Sequence, residues 1–155
     1  LGAYHYVIDA IDSLSAKVEL LDNALAADVG LFSALGASCK LDPACITVGS
    51  IWESRGCRLG RFVRKRLRKR LRNRQADGDF QCVYSGELHR RPAADMICGS
   101  GECLCPQTPG EDATVATAHE WCSSKKQING SAVHITGIFG FTLAGLVIRD
   151  ILQQQ

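Results

Sequence analysis

Apolar positions between residues 4 and 35 recur at intervals of four and three: Val7, Ile11, Leu14, Val18, Leu21 and Leu25. That period predicts an amphipathic helix across the stretch, with Asp9, Asp12, Lys17, Glu19, Asp22 and Asn23 mostly off the stripe. Gly30 and Gly36 read as breaks, and Asp42-Pro43 as the start of a short helix running toward Trp52. From Ile51 a second helix is expected, in which Leu59, Val63, Leu67 and Leu71 make a narrow apolar ridge, one residue per turn. Residues 75–79, Gln-Ala-Asp-Gly-Asp, read as a loop.

The pattern then changes. Phe80 to Tyr84 alternates weakly, and Met96-Ile97-Cys98 and Cys103-Leu104-Cys105 flank a Gly-Ser-Gly turn, which predicts a hairpin with Cys103 and Cys105 on one face. An Ala-rich stretch from Asp112 to Cys122 reads as a helix carrying Trp121. Ala132 to Ile148 is an uncharged run of 17 residues, interrupted by Gly137, Gly140 and Gly145. Helices followed by a small sheet predict an α+β fold, with a helical N-terminal part packed on a small antiparallel sheet and stapled by disulfides. The organisation expected is a helical segment at 1–60, an arginine-rich segment at 61–75 and a cysteine-rich α+β segment at 76–155, all within one compact domain. With 155 residues, 46% of them hydrophobic, the chain can bury such a core.

Charge changes the picture more than the net value of +2 suggests. Residues 55–74 carry eleven Arg or Lys and no acid, while the segments on either side are acidic. On a helix the ridge of Val63, Leu67 and Leu71 is then collared by Arg61, Arg64, Arg68, Arg72 and Arg74, with Lys65-Arg66 and Lys69-Arg70 forming dibasic pairs. Four readings compete. Dibasic cleavage by a secretory-pathway protease comes first. An anionic membrane surface is next, since a basic helix with an apolar ridge suits one. A solvated face packed against the acidic remainder is the plain structural reading. Nucleic-acid binding ranks last, because Phe62 is the one aromatic in the block and base stacking is not indicated.

Eight cysteines, Cys39, Cys45, Cys57, Cys82, Cys98, Cys103, Cys105 and Cys122, form an even set in a small chain, the usage of an oxidising compartment. Their spacing does not match zinc knuckles, so no metal is expected. Three lie before the dibasic pairs and five after, so if all pair, a cut chain would stay covalently joined. Asn129-Gly130-Ser131 is a glycosylation sequon. A start at Leu-Gly-Ala without Met reads as a mature form from which a signal peptide has been removed. Signatures of hydrolases, metalloproteases, phosphate loops and dinucleotide sites are absent, and the four histidines fall on different expected elements. No enzyme activity and no cofactor are expected.

An apolar helical segment, a zone containing Lys65-Arg66 and Lys69-Arg70, and a cysteine-rich segment with a hydrophobic stretch resemble the layout of secreted fungal killer protoxins and small cysteine-rich effectors. The resemblance implies a compact α/β sandwich and a secreted, extracellular toxin or effector acting at a target membrane or membrane protein, matured by a processing protease. The basic helix and the run 132–148 would be its effectors, the latter short against the roughly 20 residues that span a bilayer. Its glycines are also compatible with oligomerisation. The alternative is a secreted, non-enzymatic interaction protein whose arginine block binds a protein or polyanion.

Overall fold

The computed structural model describes residues 1, 3–27, 29–74, 78–88 and 130–154. The expected hairpin at 96–105, the helix at 112–122, Cys98, Cys103, Cys105, Cys122 and the sequon at Asn129 lie outside the described residues. In chain order the elements are β1 (Tyr6–Asp9), α1 (Leu14–Ala26), β2 (Gly30–Ala34), a 3-10 turn (Pro43–Cys45), β3 (Ile46–Ser50), α2 (Arg58–Arg74), β4 (Gln81–Ser85) and α3 (Val133–Gln153). The class is α+β, as the sequence predicts.

Several expectations are corrected. Residues 4–35 are not one helix but a strand, a helix and a second strand. Val7 points inward because Tyr6–Asp9 alternates across a sheet, and its spacing to Ile11 and Leu14 only mimics a helical period. Gly30, expected as a helix break, opens β2, where a Cβ would lie 2.5 Å from the Tyr6 ring. The sheet is also not antiparallel. Its order is β1-β2-β4-β3, with β1, β2 and β4 parallel and only β3 antiparallel to β4. Strands β1 and β2 are joined through α1, and a connection of that length returns the chain to a parallel neighbour.

The short helix expected between Asp42 and Trp52 shrinks to the 3-10 turn. Asp42 caps it by accepting from Ala44 N at 2.9 Å, and Ile46 to Ser50 then pairs along β4.

Helices cover both faces of the sheet. On one, α1 brings Val18, Leu21 and Ala24, and α2 brings Val63 and Leu67, onto Val7, Leu31, Cys82 and Tyr84. On the other, Ile135, Phe139, Leu143 and Leu146 of α3 lie on Phe32 and Val83. The ridge of α2 is buried as its spacing predicts, with Val63 and Leu67 fully so. Each such side chain contributes about 1.5–3 kcal/mol on leaving water, which anchors a helix whose remaining positions are crowded with like charge. By length and composition α3 is long and apolar enough to cross a membrane. Here one stripe of it covers the sheet, while Val133, Phe141, Ile148 and Leu152 are exposed.

Candidate functional site

Asp9, Ser33 and Cys82 are register partners on β1, β2 and β4, so one row of polar side chains crosses the three parallel strands. All three are fully buried, on the face covered by α1 and α2. Lys17, also fully buried, reaches down from α1 and sets its Nζ 2.5 Å from Asp9 Oδ2. The same ammonium donates to the carbonyls of Ala34 at 2.7 Å and Ile11 at 3.2 Å. Asp9 accepts from Ser33 Oγ at 2.6 Å on Oδ2 and from Ile11 N at 3.0 Å on Oδ1. Two opposite charges can leave water together only when their remaining hydrogen-bonding capacity is met, and here it is.

The position of this pair bears on function. Asp9 ends β1 and Ser33 is the penultimate residue of β2. Open sheets with parallel strands bind ligands outside the carboxyl ends of those strands. The pair therefore fixes the backbone at the edge where a ligand is expected, and exposed Asp12 stands just beyond it. Burial, and after it the nearby Asp79 carboxylate, push the Cys82 thiol up to about 12, with Lys17 and Arg64 pulling the other way. Cys82 is therefore an inert thiol within the row rather than a nucleophile.

Beside this edge a second buried cation ties three loops. Lys40 Nζ donates to Gly56 O at 2.7 Å and to Glu87 O, and the Glu87 carboxylate accepts from Leu41 N and Asp42 N at 2.8 and 3.0 Å. Gly56 holds φ at 71°, and a Cβ there would fall 2.5 Å from Ser85 O. Cys39 also takes a left-handed backbone conformation, at φ 56°.

No disulfide joins two of the described cysteines. Cys57 Sγ accepts from Gly36 N at 3.2 Å and Gly60 N at 3.3 Å. Cys45 donates to Asp42 Oδ2 at 3.3 Å, and that hydrogen bond raises its pKa.

The arginine block lies on α2, with both dibasic pairs inside the helix. Arg64 turns inward, donating to Ser54 O at 2.6 Å and Ser54 Oγ at 2.5 Å. Arg66 donates to Ser15 Oγ at 3.0 Å, and Arg70 pairs with Asp22 at 3.1 Å. The Arg68 guanidinium sits 5.2 Å from the centre of the Trp52 ring, a cation–π distance. Arg61, Lys65, Lys69 and Arg72 are exposed, and Arg74 closes the helix.

The sequence alone does not single out Asp9, Lys17, Ser33 or Lys40 as site residues. One signal for Lys17 was present: it lies four residues before Leu21 and seven before Ala24, on the buried stripe of α1.

No family model matches the sequence. Among known proteins, tRNA threonylcarbamoyladenosine dehydratase of Haemophilus influenzae is 27% identical over 157 residues, covering 98% of this chain and 52% of that protein. A stretch of 69 residues is 36% identical to tRNA threonylcarbamoyladenosine dehydratase 2 of Saccharomyces cerevisiae, covering 44% of this chain and 15% of that protein. The Escherichia coli tRNA N6-threonylcarbamoyladenosine dehydratase, solved with AMP, superposes with a TM-score of 0.70 at 23% identity, over 97% of this chain and 50% of that one. The chain thus spans about half the length, or less, of the relatives it matches.

These findings overturn the functional expectations from the sequence. The relatives are enzymes acting on tRNA, an intracellular polymer, so the killer-toxin and effector resemblance, the non-enzyme reading and the secreted location all fail. A target membrane and a processing protease fall with them as partners, as does the secreted, polyanion-binding alternative. The low rank of nucleic acid among the expected partners conflicts with relatives that are named for tRNA. The error has a physical source: a dibasic run and an even cysteine count are compositional features, while a fold likeness rests on the order and pairing of elements far apart in the sequence. In fold over nearly its full length, and in sequence, this chain is similar to tRNA threonylcarbamoyladenosine dehydratases.

Proposed function

We propose that the chain works in tRNA modification, as a unit of an intracellular enzyme that removes water from threonylcarbamoyladenosine in tRNA at the expense of ATP. The observation that carries this reading is the extent of the fold likeness, 97% of the chain at a TM-score of 0.70 to the Escherichia coli dehydratase. That enzyme has also been solved with ATP, and the AMP complex suggests the form in which the spent nucleotide leaves. Loss of water is eased when the departing oxygen is first turned into a better leaving group, and cleavage of ATP can supply that activation.

In this reading the Asp9–Lys17–Ser33 centre holds the carboxyl ends of β1 and β2 rigid, so that groups on the loops beyond them are placed within reach of a ligand. The exposed bases of α2 supply the field that draws in an RNA backbone. AMP release provides a test. Supplied with ATP and tRNA bearing the threonylcarbamoyl group, the protein should release AMP in proportion to the tRNA added. AMP release indifferent to tRNA, or none, contradicts the reading.

A further inference from the structure

We infer that the outer face of α2 holds a receptor for one unpaired nucleotide of an RNA, its base stacked on Phe62 and its flanking phosphates held by the surrounding cations. The inference rests on the tRNA reading above and specifies which surface of the chain engages the RNA.

A groove of about 810 Å³ runs along this face, with Leu14 of α1 and Phe62 of α2 as its apolar lining and Lys65, Arg66, Arg68, Lys69 and Arg72 as its cationic one. Its size falls within the roughly 300–1,000 Å³ of small-ligand sites. Phe62, Lys65, Arg66, Lys69 and Arg72 succeed one another by three, one, three and three residues, so they share one side of the helix. Phe62, the fifth residue of α2, is 42% exposed, so one face of its ring is open to a ligand among these cations.

Two of the cations are held in place before any ligand arrives: Arg66 by Ser15 Oγ and Arg68 by the Trp52 ring. Among the described residues Lys65, Lys69 and Arg72 form no ion pair and are available to an incoming anion. Lys65 and Lys69 are a turn apart, about 6 Å along the axis, a spacing suited to successive phosphates of one strand.

The pairing of an aromatic ring with several cations identifies the ligand class. Base stacking on an aromatic side chain with phosphates neutralised alongside is how single-stranded nucleic acid is held, and it needs a base that is not already stacked in a helix. An acidic peptide would use the cations but has no need of the ring, and a paired duplex offers phosphates but no free base face. The sequence alone argued against stacking because it contains no row of aromatics. One ring suffices for one nucleotide.

Fluorescence anisotropy with two RNAs of equal phosphate count, one a hairpin with an unpaired loop and one a fully paired duplex, tests the proposal. The protein should prefer the hairpin by about tenfold, and Phe62→Ala should remove most of that preference, a loss of roughly 5- to 10-fold on the hairpin, with duplex binding unchanged. Phe62→Trp should keep it. The double variant Lys65→Gln/Lys69→Gln should weaken both RNAs and lower the slope of log affinity against log salt by about one to two. Because Phe62 is partly exposed, its truncation leaves the buried ridge of α2 intact, which circular dichroism of the variant verifies. Unaltered hairpin preference in Phe62→Ala overturns the receptor while leaving the tRNA reading standing. Failure of the unmodified protein to bind either RNA overturns both.

Discussion

Ser33 and Asp9 are register partners on adjacent parallel strands, and Asp9 Oδ2, which accepts from Ser33 Oγ at 2.6 Å, also lies 2.5 Å from Lys17 Nζ, with no water access to any of the three side chains. A charge pair so enclosed is worth less for the net stability it adds than for the conformations it forbids. If α1 shifted on the sheet, Asp9 would be left charged and unpaired in the core. The pair therefore couples the position of the helix to the position of the strand ends where a ligand is expected.

Breaking that pair should be costly. Lys17→Met leaves the Asp9 carboxylate uncompensated and should lose about 3–5 kcal/mol. Lys17→Met combined with Asp9→Asn should cost clearly less than the two single changes together. Urea unfolding of the four proteins measures this coupling, and additivity within about 0.5 kcal/mol would show that the two groups do not act as a pair.

The two faces of α2 should separate stability from binding. Leu67 is fully buried, and Leu67→Ala should cost about 2–5 kcal/mol. Lys65→Ala on the exposed face should change stability by no more than about 0.5 kcal/mol, yet weaken RNA binding. A Lys65→Ala protein that unfolds as readily as Leu67→Ala would place the lysine in the structural scaffold instead.

Cys82 should make the protein sensitive to alkali. Its folded pKa is raised from 9.0 to about 12, chiefly by burial. The folded state keeps the neutral thiol while the unfolded chain ionises, so this contribution is complete below pH 9 and is lost as pH rises from there toward 12. Unfolding midpoints measured under reducing conditions should fall across that window, and Cys82→Ala should fall less steeply. Parallel pH profiles for the two proteins would rule out Cys82 as the source.

What the sequence made legible follows from the range of the forces involved. The ridge Val63, Leu67 and Leu71 and the run that becomes α3 could be read because a long helix repeats its burial pattern over several turns. β1 and β2 could not, because four or five residues leave too few alternations to distinguish a strand from a helical stripe, and Val7, Ile11 and Leu14 happen to fit both. Lys17 and Asp9 look like solvent-facing charges when taken one at a time. Only the crossover from β1 through α1 brings them together. Parallel pairing itself links residues more than twenty positions apart, such as Asp9 and Ser33, and no local period records it. The arginine block was conspicuous from the start, but Trp52 beneath Arg68 and Ser15 beside Arg66 become its neighbours only in the folded chain.

Action on threonylcarbamoyladenosine in tRNA would be visible in the mass of the nucleoside itself. tRNA carrying this modification, incubated with the protein and ATP and then digested gently to nucleosides, should yield a product lighter by one water, and omission of ATP should prevent the change. A nucleoside of unaltered mass after full incubation with ATP would exclude dehydration of this nucleoside by the protein.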